Sequence, residues 1–223
     1  MLTMSIYRPM LTPSRYNREK TRPAMPRKRT DHYHHGDAHA ALLDAALRLL
    51  PEVGAQGLSL RQVAQEAGLS RQAPYNHFAD KEALLAEVAA VGYGRLEARI
   101  RASSDYPAGA HALRDAFNAY VDTAQDSPAL FRLMFSCELV DLSRFPEAHG
   151  AAERSFHSLV DVVAAFAPAA RVEELSLAAW SLAHGYATLL IEIGISDDGA
   201  QRARRSALYA RMLHQQAAAS WPN

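Results

Sequence analysis

An all-α fold is predicted by three observations on the 223-residue sequence. Apolar residues recur at three- and four-residue intervals, proline, glycine and Ser/Asp breaks cut those runs into helix-length pieces, and no apolar–polar alternation reaches strand length. Hydrophobic residues make up 49% of the chain, enough to bury a real core, so disorder throughout is excluded. The breaks divide the folded part into about nine helices in total. The sequence contains no internal repeat and no low-complexity run.

Residues 1–30 come first and read as a disordered basic arm. They carry Pro9, Pro13, Pro23 and Pro26, and Arg8, Arg15, Arg18, Lys20, Arg22, Arg27, Lys28 and Arg29 stand against a single acid, Glu19. Because the whole chain is formally neutral, the remainder is acidic to the same extent. Lys and Arg near phosphates release condensed counterions, so a basic arm on an acidic body suits a polyanion partner. A plain solvated extension, with Met25 as the true start, is the alternative reading of residues 1–24. No apolar run follows the basic residues, so the arm is not a secretory signal and a cytoplasmic location is expected. The one cysteine, Cys137, precludes an internal disulfide framework and is read as a small buried apolar side chain.

Residues 31–101 form the next unit. From Asp37 to Val53, Leu43, Leu47 and Leu50 make one row and Leu42, Ala46, Leu49 and Val53 lie beside it, the pattern of an amphipathic helix. Gly54 and Gly57 end it. Ser59 caps a short second helix, Leu60 to Ala67, with Gln62 completing a capping box and Leu60, Val63, Ala64 and Ala67 facing inward. Gly68 provides a sharp turn in which a left-handed backbone costs glycine little. Leu69 then tucks inward, Ser70 caps a third short helix, Arg71 to Phe78, and Asp80 caps a fourth, Lys81 to about Arg101.

Residues 102–219 continue all-helical, with breaks at Ser103 to Pro107, Ser127 and Pro128, Asp141 to Pro146, Pro168, and Ile195 to Gly199. The uncharged stretch Leu175 to Ile191 is interrupted by Ser176, Ser181, His184 and Thr188 and followed by Glu192. It is therefore expected as a bundle or interface helix rather than a membrane span, and no membrane partner is expected.

Two short helices joined by a glycine turn and buttressed by a longer one meet the requirements of a helix-turn-helix reader, whose second short helix enters the major groove. That helix presents Ser70, Arg71, Gln72, Tyr75, Asn76 and His77, types that contact phosphates or base edges, with Ala73 and Phe78 facing inward. Ordinary bundles contain similar pairs, so the bare pattern leaves DNA reading and structural packing both open.

The run from Ala41 through Val91 resembles the DNA-binding domain of the TetR family of bacterial regulators. The likeness rests on the Gly57 turn, Ser59-Leu60-Arg61, Val63-Ala64, Ala67-Gly68-Leu69-Ser70, Tyr75-Asn76-His77-Phe78 and Asp80-Lys81-Glu82-Ala83-Leu84. The resemblance implies an N-terminal three-helix helix-turn-helix DNA-binding domain followed by a larger helical ligand-binding and dimerisation domain. It implies that Tyr75 and Lys81 touch phosphates, that Ser59 and Arg61 contact the backbone or an adjacent base, and that Arg71, Gln72, Asn76 and His77 read sequence. A packed aromatic with its hydroxyl in water is the alternative for Tyr75. Pro74 departs from the family pattern, in which an aliphatic residue is usual; the helix is expected to survive because proline is tolerated in a first turn.

Trp180, His184 and Gly185 in WSLAHGY resemble a Trp-His-Gly (WHG-type) signature in the C-terminal domain of one subgroup. Trp180 and His184 are expected as a stacked pair and Gly185 as a site of close helix approach, core packing being the alternative. Tyr33-His34-His35-Gly36-Asp37 resembles that subgroup's lead-in, with Gly36 as a turn and Asp37 as a cap. This accounts for the cluster His32, His34, His35 and His39 without a metal, and no cofactor or metal is expected.

The family fold further implies that helices of about Val172 to Ile193 and Ala200 to Ala219 build a four-helix bundle with a second subunit. Ala207, Leu208, Met212 and Ala217 would supply apolar contacts, and Arg202, Arg204, Arg205 and Arg211 would point mainly to solvent. Phe131, Leu133, Met134, Phe135, Phe156, Leu159, Trp180 and Tyr186 are expected around an apolar cavity, with His184 as its polar handle, for an unidentified small-molecule effector. The expected function is a ligand-responsive repressor that binds double-stranded DNA as a homodimer on a pseudo-palindromic operator. A phosphate-cradling glycine loop, a nucleophile elbow and the His-Glu spacing of zinc hydrolases are missing from the sequence, so an enzyme is not expected; a scaffolding bundle is the remaining alternative.

Overall fold

The computed structural model describes residues 32–103, 110–194 and 199–218. Among these, eight α-helices and three short 3-10 turns account for the regular structure, with no strand. The basic arm, the segments 104–109 and 195–198 at two predicted breaks, Ala219, and the side chains of His32, His34, His35 and Ala217 lie outside the described residues.

Helix α1, His32–Gly57, buries Leu42, Ala45, Ala46 and Leu50 at helical spacing. It passes through Gly36 and Asp37, so the expected turn and cap there are not formed; a glycine inside a helix costs only about 1 kcal/mol. The break at Gly54 does occur, through a backbone at φ 67°, ψ 167° that interrupts the helix. Helix α2, Leu60–Glu66, starts at Ser59, whose hydroxyl accepts from the Gln62 amide at 3.3 Å and donates to the Gln62 side-chain oxygen at 2.6 Å. Its end is set by Gly68 at φ +68°, where the Gly68 amide bonds the Gln65 carbonyl (3.1 Å) and the Leu69 amide the Ala64 carbonyl (2.9 Å). This paired closure satisfies two carbonyls that the helix leaves open.

The predicted third helix is not an α-helix. Only Ala73–Asn76 is regular, as a 3-10 turn with Pro74 in its first positions. Proline has no amide to donate, and here its ring is buried, so Pro74 rather than Ala73 joins Phe78 as the inward anchor while Ala73 stays half-buried. Asp80 does cap the following helix, accepting from the Ala83 amide at 2.8 Å.

That helix, α3 (Lys81–Ser103), is shared by both halves of the molecule. Its start packs against α1, and its length packs most extensively on α6, Pro146–Ala164. Helix α4, Ala110–Asp126, and the short α5, Pro128–Met134, close over its other side, with Pro128 at the start of α5 as the Ser127 break predicted. Helices α7, Val172–Ile193, and α8, Gly199–Ala218, flank α4.

Two further expectations are corrected. Cys137 is exposed, because it falls in the turns after α5 rather than on a helix face. Arg202 and Arg205 fold back onto the bundle instead of pointing to solvent: Arg202 pairs with Asp122, and Arg205 donates to the Tyr186 hydroxyl while its guanidinium lies 5.2 Å from that ring's centroid. Arg204 and Arg211 are exposed as expected. Large apolar side chains remain exposed on α7 (Leu177, Leu189, Ile193) and α8 (Leu208, Met212), with Gly185 open between them.

Candidate nucleic-acid interface and effector cavity

The turn around Pro74 sets which side chains face outward. Ser70, Arg71, Gln72 and Asn76 are exposed, and Tyr75 is 55% exposed, an unusual position for a large aromatic. Arg61, on α2, is also exposed. These six form one outward set of a guanidinium pair, amides and hydroxyls, the inventory that phosphates and base edges accept. The other three predicted contacts are placed differently. Ser59 is half-buried with its hydroxyl engaged in the cap. His77 is half-buried, its ring 5.7 Å from His39. Lys81 donates to the Gln56 carbonyl at 2.6 Å, which ties the start of α3 to the end of α1; an ammonium keeps two further donors for an anion.

His39 stands behind this face and has a structural role. Its ring stacks on Phe78 at 5.2 Å and its Nε2 lies 2.8 Å from Glu87, so one side chain of α1 holds both the end of the Pro74 turn and α3. Among the described residues searched, no group of three or more metal-ligating side chains converges.

Glu82, next to Lys81, links the same helix end to the other half of the molecule. Its carboxylate accepts from the Asp141 amide at 3.1 Å and pairs with Arg144, on the loop before α6. That loop is itself fixed by Asp141, which accepts from the Ser143 hydroxyl (2.7 Å) and amide (3.1 Å); these bonds hold the Asp141 carboxyl below its ordinary pKa.

In the C-terminal half, Phe135, Phe156, Leu159 and Trp180 do line a common cavity, joined by Tyr93, Leu96 and Ile100 of α3, Tyr120 of α4, and Ala152 and Ser155 of α6. None of these carries a charge. The cavity is closed down to about 20 Å3, room for a water molecule and well short of the roughly 300 Å3 of a small-molecule pocket. Phe131 and Met134 turn the other way, into an outer groove between α3, α4 and α5. Leu133 is buried, and Tyr186 packs on Phe117 at 5.4 Å, away from the cavity.

Trp180 and His184 do not stack; their ring centroids are 6.4 Å apart at 58°. The Tyr120 hydroxyl joins them instead, accepting from Trp180 Nε1 at 3.1 Å and meeting His184 Nδ1 at 2.9 Å. His184 stacks on Phe131 at 5.5 Å, and its partial burial pushes its pKa below the ordinary 6.5. Gly185 faces open space, with nothing within 4 Å of where a side chain would begin.

Two family models match the chain. One, bacterial regulatory proteins of the tetR family, covers residues 42–88; the other, tetracyclin repressor-like, C-terminal domain, covers residues 113–215. A protein of unknown function from Rhodococcus sp. RHA1 is similar in structure at TM-score 0.68 and 29% identity, over 82% of this chain and 98% of its own. A bacterial regulatory protein in the tetR family, from Rhodococcus RHA1, follows at TM-score 0.62 and 24% identity, over 79% and 96% of the two chains. The multidrug binding protein EbrR, complexed with imidazole, shares the fold at TM-score 0.56 and 19% identity, over 82% and 96%. A search of curated proteins returns no match.

Proposed function

Because the chain belongs to the TetR family of bacterial regulatory proteins, we propose that it is a sequence-specific transcriptional regulator which binds a pseudo-palindromic operator as a homodimer and is released by a small molecule, most simply as a repressor. The observation that carries this is the outward set Arg61, Ser70, Arg71, Gln72, Tyr75 and Asn76, held by buried Pro74 and Phe78. Tyr75 and Lys81 act on phosphates and position the protein. Arg71, Gln72 and Asn76 read bases; Ser59 and His77 support the two short elements and contact DNA only at their edges. A regulator of this kind binds rather than catalyses, and works where the chromosome is, in the cytoplasm.

The exposed apolar side chains of α7 and α8 support the dimer: Leu177, Leu189, Ile193, Leu208 and Met212 lie on two helices that pack on each other, apolar surface that a second copy would cover. Ligand response is supported by EbrR, which has the same fold and is a multidrug binding protein; the uncharged aromatic cavity, at about 20 Å3, would have to widen to admit a ligand. The Trp180, His184 and Gly185 signature, with its first two members tied through Tyr120, supports the WHG-type subgroup. Among the described residues no helix is long and apolar enough to cross a membrane.

Selection of random duplexes on the purified protein tests the reading. An enriched inverted repeat, lost on Arg71→Ala with Lys81→Ala and weakened steeply by salt, is expected. A protein that sediments as a dimer yet enriches no sequence with or without a ligand library refutes the DNA-reading role and leaves a scaffold. Sedimentation of Leu189→Glu as a monomer is expected if the α7–α8 face is the interface.

A further inference from the structure

The outer groove between α3, α4 and α5 has a chemistry of its own. It encloses about 360 Å3, within the range of small-molecule sites. Its floor is apolar: Leu130, Phe131 and Met134 of α5 lie against Gly92, where an added Cβ would stand 2.5 Å from the Met134 sulfur. Its rim is cationic. Arg95 and Arg99 stand one turn apart on α3, and the one carboxylate in the lining, Asp126, is already paired with Arg99 at 2.6 Å. Arg95 has no hydrogen-bond or ion-pair partner among the described residues.

We propose that this groove binds a small amphipathic carboxylate, its head on the Arg95 guanidinium and its apolar body on Leu130, Phe131 and Met134. Charge complementarity selects the head group, because a planar guanidinium with an unused donor edge matches a carboxylate in two parallel hydrogen bonds. Thr123 and Ser127 complete the polar lining, and the Thr123 hydroxyl already donates to the Ala119 carbonyl at 2.8 Å. This deepens the ligand-responsive reading and rests on it for its regulatory consequence.

The groove is separated from the inner cavity by one aromatic wall. Phe131 faces the groove, and its ring packs on Phe135 (4.9 Å) and Tyr120 (5.7 Å), which face the cavity. A bound tail therefore presses on α5. This seven-residue helix packs on both α1 and α3, and the Tyr93 hydroxyl of α3 donates to its Met134 carbonyl. The groove thus has a mechanical route to the elements that hold the recognition turn.

The test is titration calorimetry of the full-length protein with sodium octanoate, octanol and octylammonium, on the native chain and on Arg95→Gln, Arg95→Lys and Phe156→Ala. Octanoate is expected to bind at least about tenfold more tightly than either control, to lose about tenfold on Arg95→Gln, to recover partly on Arg95→Lys and to be indifferent to Phe156→Ala. Arg95 is exposed, so its replacement leaves the fold intact. Equal binding of octanol and octanoate, an Arg95→Gln protein that binds as before, or no octanoate binding by protein that still binds its selected duplex, would overturn the proposal. Loss on Phe156→Ala instead would also overturn it, moving the ligand to the inner cavity. Arg95-dependent binding that leaves duplex affinity unchanged upholds the site and overturns only the effector reading.

Discussion

Replacing Tyr120 with phenylalanine removes one oxygen atom and leaves a ring of nearly the same shape, in a residue only 4% exposed. That oxygen accepts from Trp180 Nε1 and meets His184 Nδ1, both on half-buried side chains of α7, so two hydrogen bonds vanish. At about 1 kcal/mol for each lost bond, the variant should lose about 2 kcal/mol. For a chain of this size that corresponds to a melting temperature lower by about 4–8 °C. Urea unfolding followed by circular dichroism, at one fixed protein concentration, measures it. A second cycle with Trp180→Phe should show a coupling of about 1 kcal/mol between the two positions. A total loss under about 0.5 kcal/mol, or additivity of the two changes within about 0.3 kcal/mol, would refute the view that Tyr120 ties α4 to α7.

The pH dependence of stability carries a second prediction. The His184 pKa is lowered by burial below 6.5, so on acidification the unfolded chain takes up this proton first. Its contribution is intact above that value and stability falls as pH drops through 6.5 towards the depressed folded value; His184→Gln should flatten this part of a pH series of urea midpoints. Gly68→Ala places a side chain at φ +68° with open space around it, so the cost is backbone strain alone, about 1 kcal/mol, and Gly68→Val should cost more. Equal stability of Gly68→Val and the native chain would show that the turn closing α2 relaxes to another conformation.

How far the sequence could be read depended on whether the deciding contacts were local. Ser59, Gln62 and Gly68 act within one turn of themselves, and the cap and closure of α2 stand where the sequence placed them. Pro74 was visible as an irregularity, but the loss of the α-helix follows from burying its ring beside Phe78, a tertiary choice that no local pattern encodes. Leu42, Ala46 and Leu50 were legible from period alone, whereas Gly36 and Asp37 read as punctuation although the helix simply continued through them.

The cavity shows the same division. Phe135, Phe156, Leu159 and Trp180 were found because aromatic and apolar residues stand out in the sequence. Tyr93, Leu96 and Ile100 were missed because α3 was read only as the end of the DNA-binding unit, and Tyr120 of α4, the hub of the polar contacts, because its partners Trp180 and His184 stand 60 and 64 residues away. The spacing of Tyr93, Leu96 and Ile100 at three and seven residues was the available signal that the far end of that helix faces a second core.

That shared helix has a mechanical consequence. Lys81–Ser103 is an unbroken helix of 23 residues, about 33 Å long at 1.5 Å per residue. One end carries the lysine anchored to α1, and the other forms a wall of the closed cavity. A rod of that length swung by only about 3° moves its far tip by nearly 2 Å, several times the roughly 0.5 Å window of hydrogen-bond distances. Stiffness in this one element, together with the contacts of α5 on α1 and α3, would therefore set how small a disturbance in the bundle is felt at the far end of α3.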